Sequence, residues 1–165
     1  MSGRDAPVTY WTHYWKNQTV ENREQREPGT GGLGHTADNS FKKRGVKPGD
    51  SVYVVSVPEG KVQLIGLLVV DRILNQRQIN SYFGEEVWVA ADHLVAREPV
   101  AECRFDVFVP VRDLGKINFI TAKGLDGIKF DQRVGANPKT VDRQTLRGIR
   151  KITADTAALF ESLLR

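Results

Sequence analysis

Two runs of β-forming residues, separated by three turn residues, constrain the fold more than any other feature of the chain. "SVYVVSV" (51–57) and "KVQLIGLLVVDRI" (61–73) are rich in aliphatic residues, and "PEG" (58–60) lies between them. Such runs joined by Pro and Gly favour a β-hairpin. The longest apolar stretch, "LIGLLVV" (64–70), is far too short to cross a bilayer. The pattern therefore predicts a hairpin and gives no indication of a membrane partner.

The rest of the chain predicts further short strands and few helices. Strands are predicted at 8–15, 87–95, 103–111 and 117–121. Helices are predicted at 37–45, 141–152 and 153–165, the last of them capped by Thr153, and residues 16–37 are predicted to form a long loop. Short, turn-linked strands with a helical C-terminus favour an α+β fold with five to six strands, arranged as a small barrel or as a strongly curved mixed sheet.

Length and composition favour one domain over residues 1–165, with a disordered N-terminus at 1–7. The chain has 165 residues, 40% of them hydrophobic and 27% charged, which is ordinary for a globular protein. The net charge of +4 permits a nucleic-acid partner without requiring one. A single cysteine, Cys103, excludes an internal disulfide. With no apolar signal region, the expected location is the cytoplasm.

A glycine-rich stretch, "GTGGLGHT" (29–36), differs from a nucleotide-binding P-loop by one residue. His35 occupies the position of the lysine that contacts the terminal phosphates. A P-loop also follows a buried strand and precedes a long helix, whereas the charged "ENREQREP" (21–28) comes before this stretch. The interpretation is therefore a flexible rim of a binding pocket, with an ordinary surface loop as the alternative.

The residues that support catalysis or hold metals are not arranged for either task. The three histidines show no metal-ligand spacing, one cysteine cannot form a thiolate cluster, and no G-x-S-x-G motif occurs. Cys103 alternates with apolar residues and is expected in the core. The sequence therefore predicts no catalytic residue, no metal site and no cofactor.

The aromatic residues of the first strand indicate a base-binding pocket. Alternation places Trp11, His13 and Trp15 on one face. Trp11 is expected in the core, whereas Trp15 ends the strand beside Lys16 and could stack a base. The second wall is assigned to Tyr82 and Phe83. Core packing of Trp15 is the alternative.

A basic stripe in the predicted helix 141–152 is the candidate phosphate-binding surface. Its four cations recur at i, i+4, i+7 and i+8, and no acidic residue follows Asp142 before Asp155. The stripe consists of Arg143, Arg147, Arg150 and Lys151. A solvated helix face is the alternative, and Lys42, Lys43, Arg44 and Lys47 form a second, looser cluster.

The order of several loose motifs resembles the PUA-like superfamily, and within it the EVE and YTH branch. "YWKN" resembles the end of the branch's first strand, "ADNSF" a short YTH motif, and "GVKPGDSVYVVS" with "LIGLLVVDRI" the EVE turn and its two strands. "FVPVRDLGKINF" and "RQTLRGIRKIT" resemble the later strand region and the closing helices. The resemblance extends from about Val8 to Leu164.

The resemblance implies a small β-barrel, flanked by helices, that encloses a modified base between aromatic walls. It assigns Lys16 and Asn17 to the rim, and Asn22 to a position that contacts the base. Residues 16–40 contain no Phe, Trp or Tyr, which departs from the YTH cage and favours the EVE side. The predicted base-binding residues are Trp15, Lys16, Asn17, Asn22, His35, Thr36, Asp38, Asn39, Tyr82 and Phe83.

The leading hypothesis is a non-catalytic module that recognises a modified base, methylated or otherwise modified cytosine or adenine, in DNA rather than RNA. A separate nuclease partner would make it the reader of a modification-dependent restriction system. One alternative is a base- or nucleotide-processing enzyme that uses His13, His35 or Asp38. The other is a protein-interaction adaptor with a vestigial pocket.

Overall fold

A computed structural model describes residues 7–26, 32–131 and 140–165. Its strands are β1 (Tyr10–Tyr14), β2 (His35–Asp38), β3 (Ser51–Ser56), β4 (Gln63–Leu74), β5 (Asp92–Ala96), β6 (Asn118–Thr121), β7 (Gly124–Gly127) and β8 (Ile149–Ile152). Its α-helices are α1 (Asn17–Arg26), α2 (Phe41–Arg44), α3 (Gln76–Phe83) and α4 (Ala154–Leu164). Short 3₁₀ helices cover Pro58–Gly60, Val111–Lys116 and Arg143–Leu146. Residues 1–6 of the predicted disordered N-terminus and residues 29–31 of the glycine-rich stretch lie outside the described residues.

The strands form one mixed sheet of eight strands, in the order β2-β5-β4-β3-β1-β8-β6-β7. β1 and β3 are parallel, and the other neighbouring pairs are antiparallel. The α+β class is therefore confirmed. The expected barrel of five to six strands is wrong, because no backbone ladder closes the sheet within the described residues.

The sheet is nevertheless strongly curved, which was the alternative to a barrel. β1 and β2 are separated by three strands in the sheet order, yet Trp15 Nε1, just after β1, donates a hydrogen bond to Thr36 Oγ1 of β2 at 3.0 Å. Register shifts between Val54 and Val55 and between Val70 and Arg72 bend the long strand β4 and its neighbours. Five strands thus curl until β1 and β2 face each other across a seam that side chains bridge.

The core has two clusters because β3 is buried on both faces. Val52 and Val54 point into the curl, where they pack with both Trp11 and Trp15. The alternate residue Tyr53 packs on the other side, where its ring contacts Phe160 of α4 edge-on at 5.5 Å. The central hairpin predicted from the sequence, β3 and β4, therefore separates the two clusters.

The predicted helix 141–152 is wrong. Arg143–Leu146 is a 3₁₀ helix, Gly148 has a left-handed φ of 76°, and Ile149–Ile152 forms β8. β8 pairs antiparallel with the free edge of β1, which a helix could not do. Helix α4 is confirmed, and Thr153 caps it by accepting a hydrogen bond from Thr156 N at 3.2 Å.

Four other segments differ from the sequence prediction. The predicted helix 37–45 begins only at Phe41, because Ala37 and Asp38 belong to β2. The predicted loop 16–37 contains α1 and the start of β2. The predicted strand 103–111 is not a regular strand; it meets β4 through an isolated bridge at Phe108 and backbone hydrogen bonds such as Leu64 N to Val107 O at 2.9 Å. The predicted strand 87–95 begins at Asp92, so residues 87–91 are a connection.

The buried carboxylate of Asp50 joins the start of β1 to the turn before β3. It is 1% exposed and accepts hydrogen bonds from Trp11 Nε1 at 3.0 Å and from Thr9 N at 3.2 Å. Lys47 supplies two further donors, its backbone N at 3.1 Å and its Nζ at 3.0 Å. One side chain therefore satisfies donors from two segments that are distant in sequence.

We expect Asp50→Ala to destabilise the protein by about 1–3 kcal/mol, because it leaves buried donors without an acceptor. The matched control is Asp71→Ala, which removes an exposed carboxylate that pairs with exposed Arg72 and should change stability by about 0.5 kcal/mol or less. Urea unfolding of both variants measures the difference. Equal stabilities would show that Asp50 does not hold the two segments together.

Candidate functional site

A cavity of about 400 Å³ opens at the seam, between the end of β1, helix α1 and strand β2; we call it the seam cavity. It brings together six of the predicted base-binding residues: Trp15, Lys16, Asn22, His35, Thr36 and Asp38. It also includes six residues that were not predicted to line it: His13, Tyr14, Thr19, Arg23, Ala37 and Trp88. The curl of the sheet, rather than proximity in sequence, assembles these side chains.

A chain of hydrogen bonds crosses the seam behind the cavity. Trp15 Nε1 donates to Thr36 Oγ1, which lies 3.0 Å from His13 Nδ1. His13 Nε2 lies 3.4 Å from Asp38 Oδ2. Because a carboxylate only accepts, His13 donates through Nε2 to Asp38. In the neutral imidazole, His13 Nδ1 then accepts from the Thr36 hydroxyl.

Asp38 is held as a carboxylate at the cavity wall. The hydrogen bond from His13 lowers the pKa of Asp38 below its ordinary value, against the opposing effect of burial. The backbone N of Ser40 adds a further hydrogen bond at 3.1 Å. Asp38 therefore offers the cavity an acceptor and a negative charge.

A second chain runs outward from His35. His35 Nε2 lies 2.8 Å from His93 Nδ1, and His93 Nε2 lies 2.8 Å from Gln76 Oε1. Burial, with smaller contributions from His93 and Arg23, lowers the pKa of His35 to about 4. Burial also lowers the pKa of His93. Both imidazoles are therefore neutral at neutral pH.

The aromatic walls differ in accessibility. Trp15 is only 8% exposed and is part of the core cluster, so the core alternative for this residue is also supported. Trp88 is 55% exposed, and its ring lies 4.6 Å from that of His35. Trp88 was missed because residues 87–95 were predicted to be one strand. A strand boundary placed after Trp88 would have left it in a connection, where its ring is available to stack a base.

Arg23 was missed because its segment was predicted to be a loop. On α1, its guanidinium lies 5.7 Å from the centre of the Trp15 ring and donates to Gly32 O at 2.9 Å. It brings a cation to a cavity whose other wall carries Asp38. The helical spacing of Thr19, Asn22 and Arg23 was the available signal.

Four predicted base-binding residues do not line the seam cavity. Asn17 Oδ1 accepts from Ser56 Oγ at 3.0 Å, and Asn39 Oδ1 accepts from Ala91 N at 2.9 Å, so both amides hold backbone segments in place. Tyr82 and Phe83 line a neighbouring cavity of about 510 Å³, the outer cavity. The two cavities share Arg23, His35 and Trp88.

The predicted basic stripe is divided, because its residues do not share one helix. Arg150 lies over the Phe119 ring at 4.0 Å and donates to Thr145 O at 2.7 Å, while Lys151 lies 5.5 Å from the centre of the Trp11 ring. Both line a third cavity of about 460 Å³, the basic cavity, together with Arg44. Arg143 and Arg147 lie apart in the 3₁₀ segment and at its end. Phosphate binding by these four residues stays a prediction.

Comparisons with known proteins identify no relative of this chain. No protein-family model matches the chain, and no curated protein or solved structure gives a significant match. Across the three described ranges, no helix is long and apolar enough to cross a membrane. In the same ranges, no group of three or more His, Cys, Asp or Glu side chains is placed to hold a metal ion.

The neutral state of His35 predicts a loss of stability in acid. An unfolded histidine takes up a proton below about pH 6.5, whereas folded His35 stays neutral until about pH 4. The unfolded state therefore binds more protons in this window, and the free energy of unfolding falls as pH falls from about 6.5 to about 4. The neighbouring groups that face His35 are His93 on β5, Arg23 on α1 and Trp88.

Urea unfolding at a series of pH values between 7 and 4 tests this expectation. The matched variant is His35→Gln, whose amide does not titrate. We expect the wild-type protein to lose more stability than the variant across the window. Parallel curves for the two proteins would contradict the lowered pKa.

Proposed function

We propose that the protein is a non-catalytic nucleic-acid-binding module that takes a single modified base into the seam cavity. The observation that carries the proposal is the composition of the cavity wall. The exposed Trp88 and the partly buried His35 lie on one side, and the Asp38 carboxylate lies on another. Aromatic faces stack bases, and a few fixed polar groups distinguish their edges. A volume of about 400 Å³ is in the range of small-ligand pockets.

The charges around the cavity support a polyanionic ligand. Arg23 and Lys16 line the seam cavity, and Lys16 is exposed. The basic cavity, with Arg44, Arg150 and Lys151, lies at the opposite end of β1, beside Trp11. Because β1 spans only Tyr10–Tyr14, a strand of a few nucleotides could extend from one cavity to the other. We therefore assign base recognition to the seam cavity and phosphate contacts to the basic cavity.

The resemblance to PUA-like and EVE domains is retained as part of this proposal. The curled portion of the sheet, β1-β3-β4-β5-β2, has the strand number expected of the small barrel, although side chains rather than backbone bonds bridge its seam. The YTH cage takes a second tryptophan from the connection before a later strand, a position assigned from the sequence to Tyr82 and Phe83. Trp88 lies in the connection before β5 and suits that role better than Tyr82 or Phe83.

The proposed target is modified cytosine or adenine in DNA rather than RNA. A separate nuclease would then make this chain the recognition part of a modification-dependent restriction system in the cytoplasm. A screen of single- and double-stranded oligonucleotides that carry different modified bases, at one stated salt concentration, tests the proposal. Binding that is indifferent to every modification, or absent throughout, would contradict it.

Trp88 gives the sharpest test of the aromatic wall. Stacking is worth about 1–3 kcal/mol per base, so Trp88→Ala should weaken binding of the modified oligonucleotide about ten- to a hundredfold. Because Trp88 is exposed, the variant should fold normally. Fluorescence anisotropy titration measures the affinity, and thermal unfolding measures the fold.

Two controls make the result specific. Val89→Ala removes the neighbouring side chain, which is 89% exposed, and should leave affinity unchanged. Trp15→Ala should lower stability by about 3–5 kcal/mol, because it empties part of the core. Unchanged affinity in folded Trp88→Ala would remove this residue from the site.

Lys151 tests the phosphate contacts. Each neutralised phosphate contact releases counterions, so Lys151→Ala should flatten the slope of log K against log salt by about 0.7–0.9. Phosphate contacts carry no direct sequence information, so modified and plain oligonucleotides should weaken by a similar factor. The control is Arg165→Ala, which neutralises a cation at the end of the chain that pairs with Glu161. A wild-type slope in Lys151→Ala would exclude the contact.

The series of side-chain contacts Asp38–His13–Thr36 favours a second candidate function, that of an enzyme that processes bases or nucleotides. A carboxylate, an imidazole and a hydroxyl in series are the parts of an activated nucleophile. Against this candidate, Thr36 is 2% exposed and its oxygen already accepts from Trp15. We expect no turnover of nucleosides, nucleotides or oligonucleotides. Product formation that Thr36→Val abolishes would establish the enzyme.

A further inference from the structure

Three hydrogen bonds fix the orientation of the Gln76 side-chain amide. Gln76 Nε2 donates to Asn80 Oδ1 and to Val87 O, both at 3.1 Å, and Gln76 Oε1 accepts from Ala90 N at 2.9 Å. A flipped amide would direct its NH₂ group at the Ala90 N–H and its oxygen at the Val87 carbonyl. Three backbone and side-chain partners thus place the Gln76 oxygen against His93.

That oxygen determines the proton positions on both histidines. Because Gln76 Oε1 can only accept, His93 Nε2 carries a hydrogen and donates across the 2.8 Å contact. His93 is 0% exposed and neutral, so its Nδ1 has no hydrogen and must accept. His35 Nε2, at 2.8 Å from that atom, therefore donates. The nearly coplanar rings, at 12° to each other, suit this in-line arrangement.

The remaining nitrogen of His35 is consequently a bare acceptor. Neutral imidazole carries one N–H, and in His35 it is used on His93. Within the described ranges, His35 Nδ1 has no hydrogen-bond partner. His35 lines the seam cavity, where Trp88 flanks its ring at 4.6 Å.

We propose that His35 is a specificity-determining residue of the seam cavity: its Nδ1 atom accepts a hydrogen bond from an N–H group of the bound base. The cavity then favours bases that carry an exocyclic amino hydrogen over counterparts that lack one. This inference rests on the proposed function and names the feature of the base that is recognised. Gln76 and His93 are positioning residues, because they act on the base only by fixing the hydrogen positions of His35.

Two matched pairs of oligonucleotides test the preference. In one pair a single position carries N4-methylcytosine or N4,N4-dimethylcytosine, which differ by the last amino hydrogen. In the other it carries N6-methyladenine or N6,N6-dimethyladenine, which differ by the last N–H. A hydrogen bond of ordinary strength predicts that the member with the amino hydrogen binds about three- to tenfold more tightly.

Two substitutions of His35 separate its two nitrogens. In His35→Asn, the amide oxygen takes approximately the position of Nδ1, so the acceptor and the preference should be kept. In His35→Gln, the amide nitrogen approximates Nε2, so the bond to His93 should be kept while the acceptor and the preference are lost. Thermal unfolding shows that both variants are folded, and Val89→Ala serves as the unaltered reference.

The hydrogen positions can be measured without any ligand. Long-range ¹H–¹⁵N NMR spectra at pH 7 should show His35 and His93 as neutral, each with its hydrogen on Nε2. In Gln76→Leu, which removes the fixed acceptor, His93 and His35 should lose this single form, and the preference between paired oligonucleotides should fall. A purely structural role for Gln76 would lower stability without changing the preference.

The outcomes distinguish this inference from the proposed function. Absence of binding to these four and to every other oligonucleotide of the screen would overturn the proposed function, and this inference with it. Equal binding within each pair, or a preference that survives in His35→Gln, would overturn the role of His35 alone. A hydrogen on His35 Nδ1 in the NMR spectra would do the same.

Discussion

The side-chain hydrogen bonds between the end of β1 and strand β2 hold together segments that share no backbone hydrogen bonds. Trp15 and His13 both contact the hydroxyl of Thr36, and His13 also contacts Asp38. Three strands lie between β1 and β2 in the sheet order, so these contacts form only when the sheet is curled. They hold it in that shape. The buried positions of Trp15, His13 and Thr36 exclude the water that would otherwise compete for the same bonds.

The same seam explains why the cavity lies where it does. A barrel closed by backbone pairing would bring β1 and β2 to the spacing of neighbouring strands, about 5 Å, and would leave no room between them. Bridging by side chains holds the strands farther apart, and helix α1 covers the gap with Thr19, Asn22 and Arg23. The polar groups that stabilise the curl therefore also form the cavity wall, so fold and candidate site depend on one set of contacts.

The success of the sequence predictions followed the strength of the local signal. The hairpin β3–β4 and helix α4 were predicted because apolar runs, turn residues and a capping threonine all agree there. The segment 141–152 failed because its apolar spacing fits a helix, while Gly148 and the free edge of β1 favour a strand. Helix α1 was missed because its residues are mostly polar and, among residues 17–25, Val20 alone is buried, so tertiary contacts must stabilise it.

The sequence by itself determined the α+β class, the central hairpin, the C-terminal helix and the aromatic, acidic and imidazole residues available for a site. It could place Trp15, Lys16, His35 and Asp38 near a strand end or a loop, because these positions follow from local pattern. Only the tertiary structure decided that Trp88 rather than Tyr82 joins the wall, and that Gln76 fixes the hydrogen on His35. The contacts Trp15–Thr36 and His93–Gln76 join residues 21 and 17 positions apart, and local sequence pattern does not specify them. They form only when the sheet curls and brings these segments together.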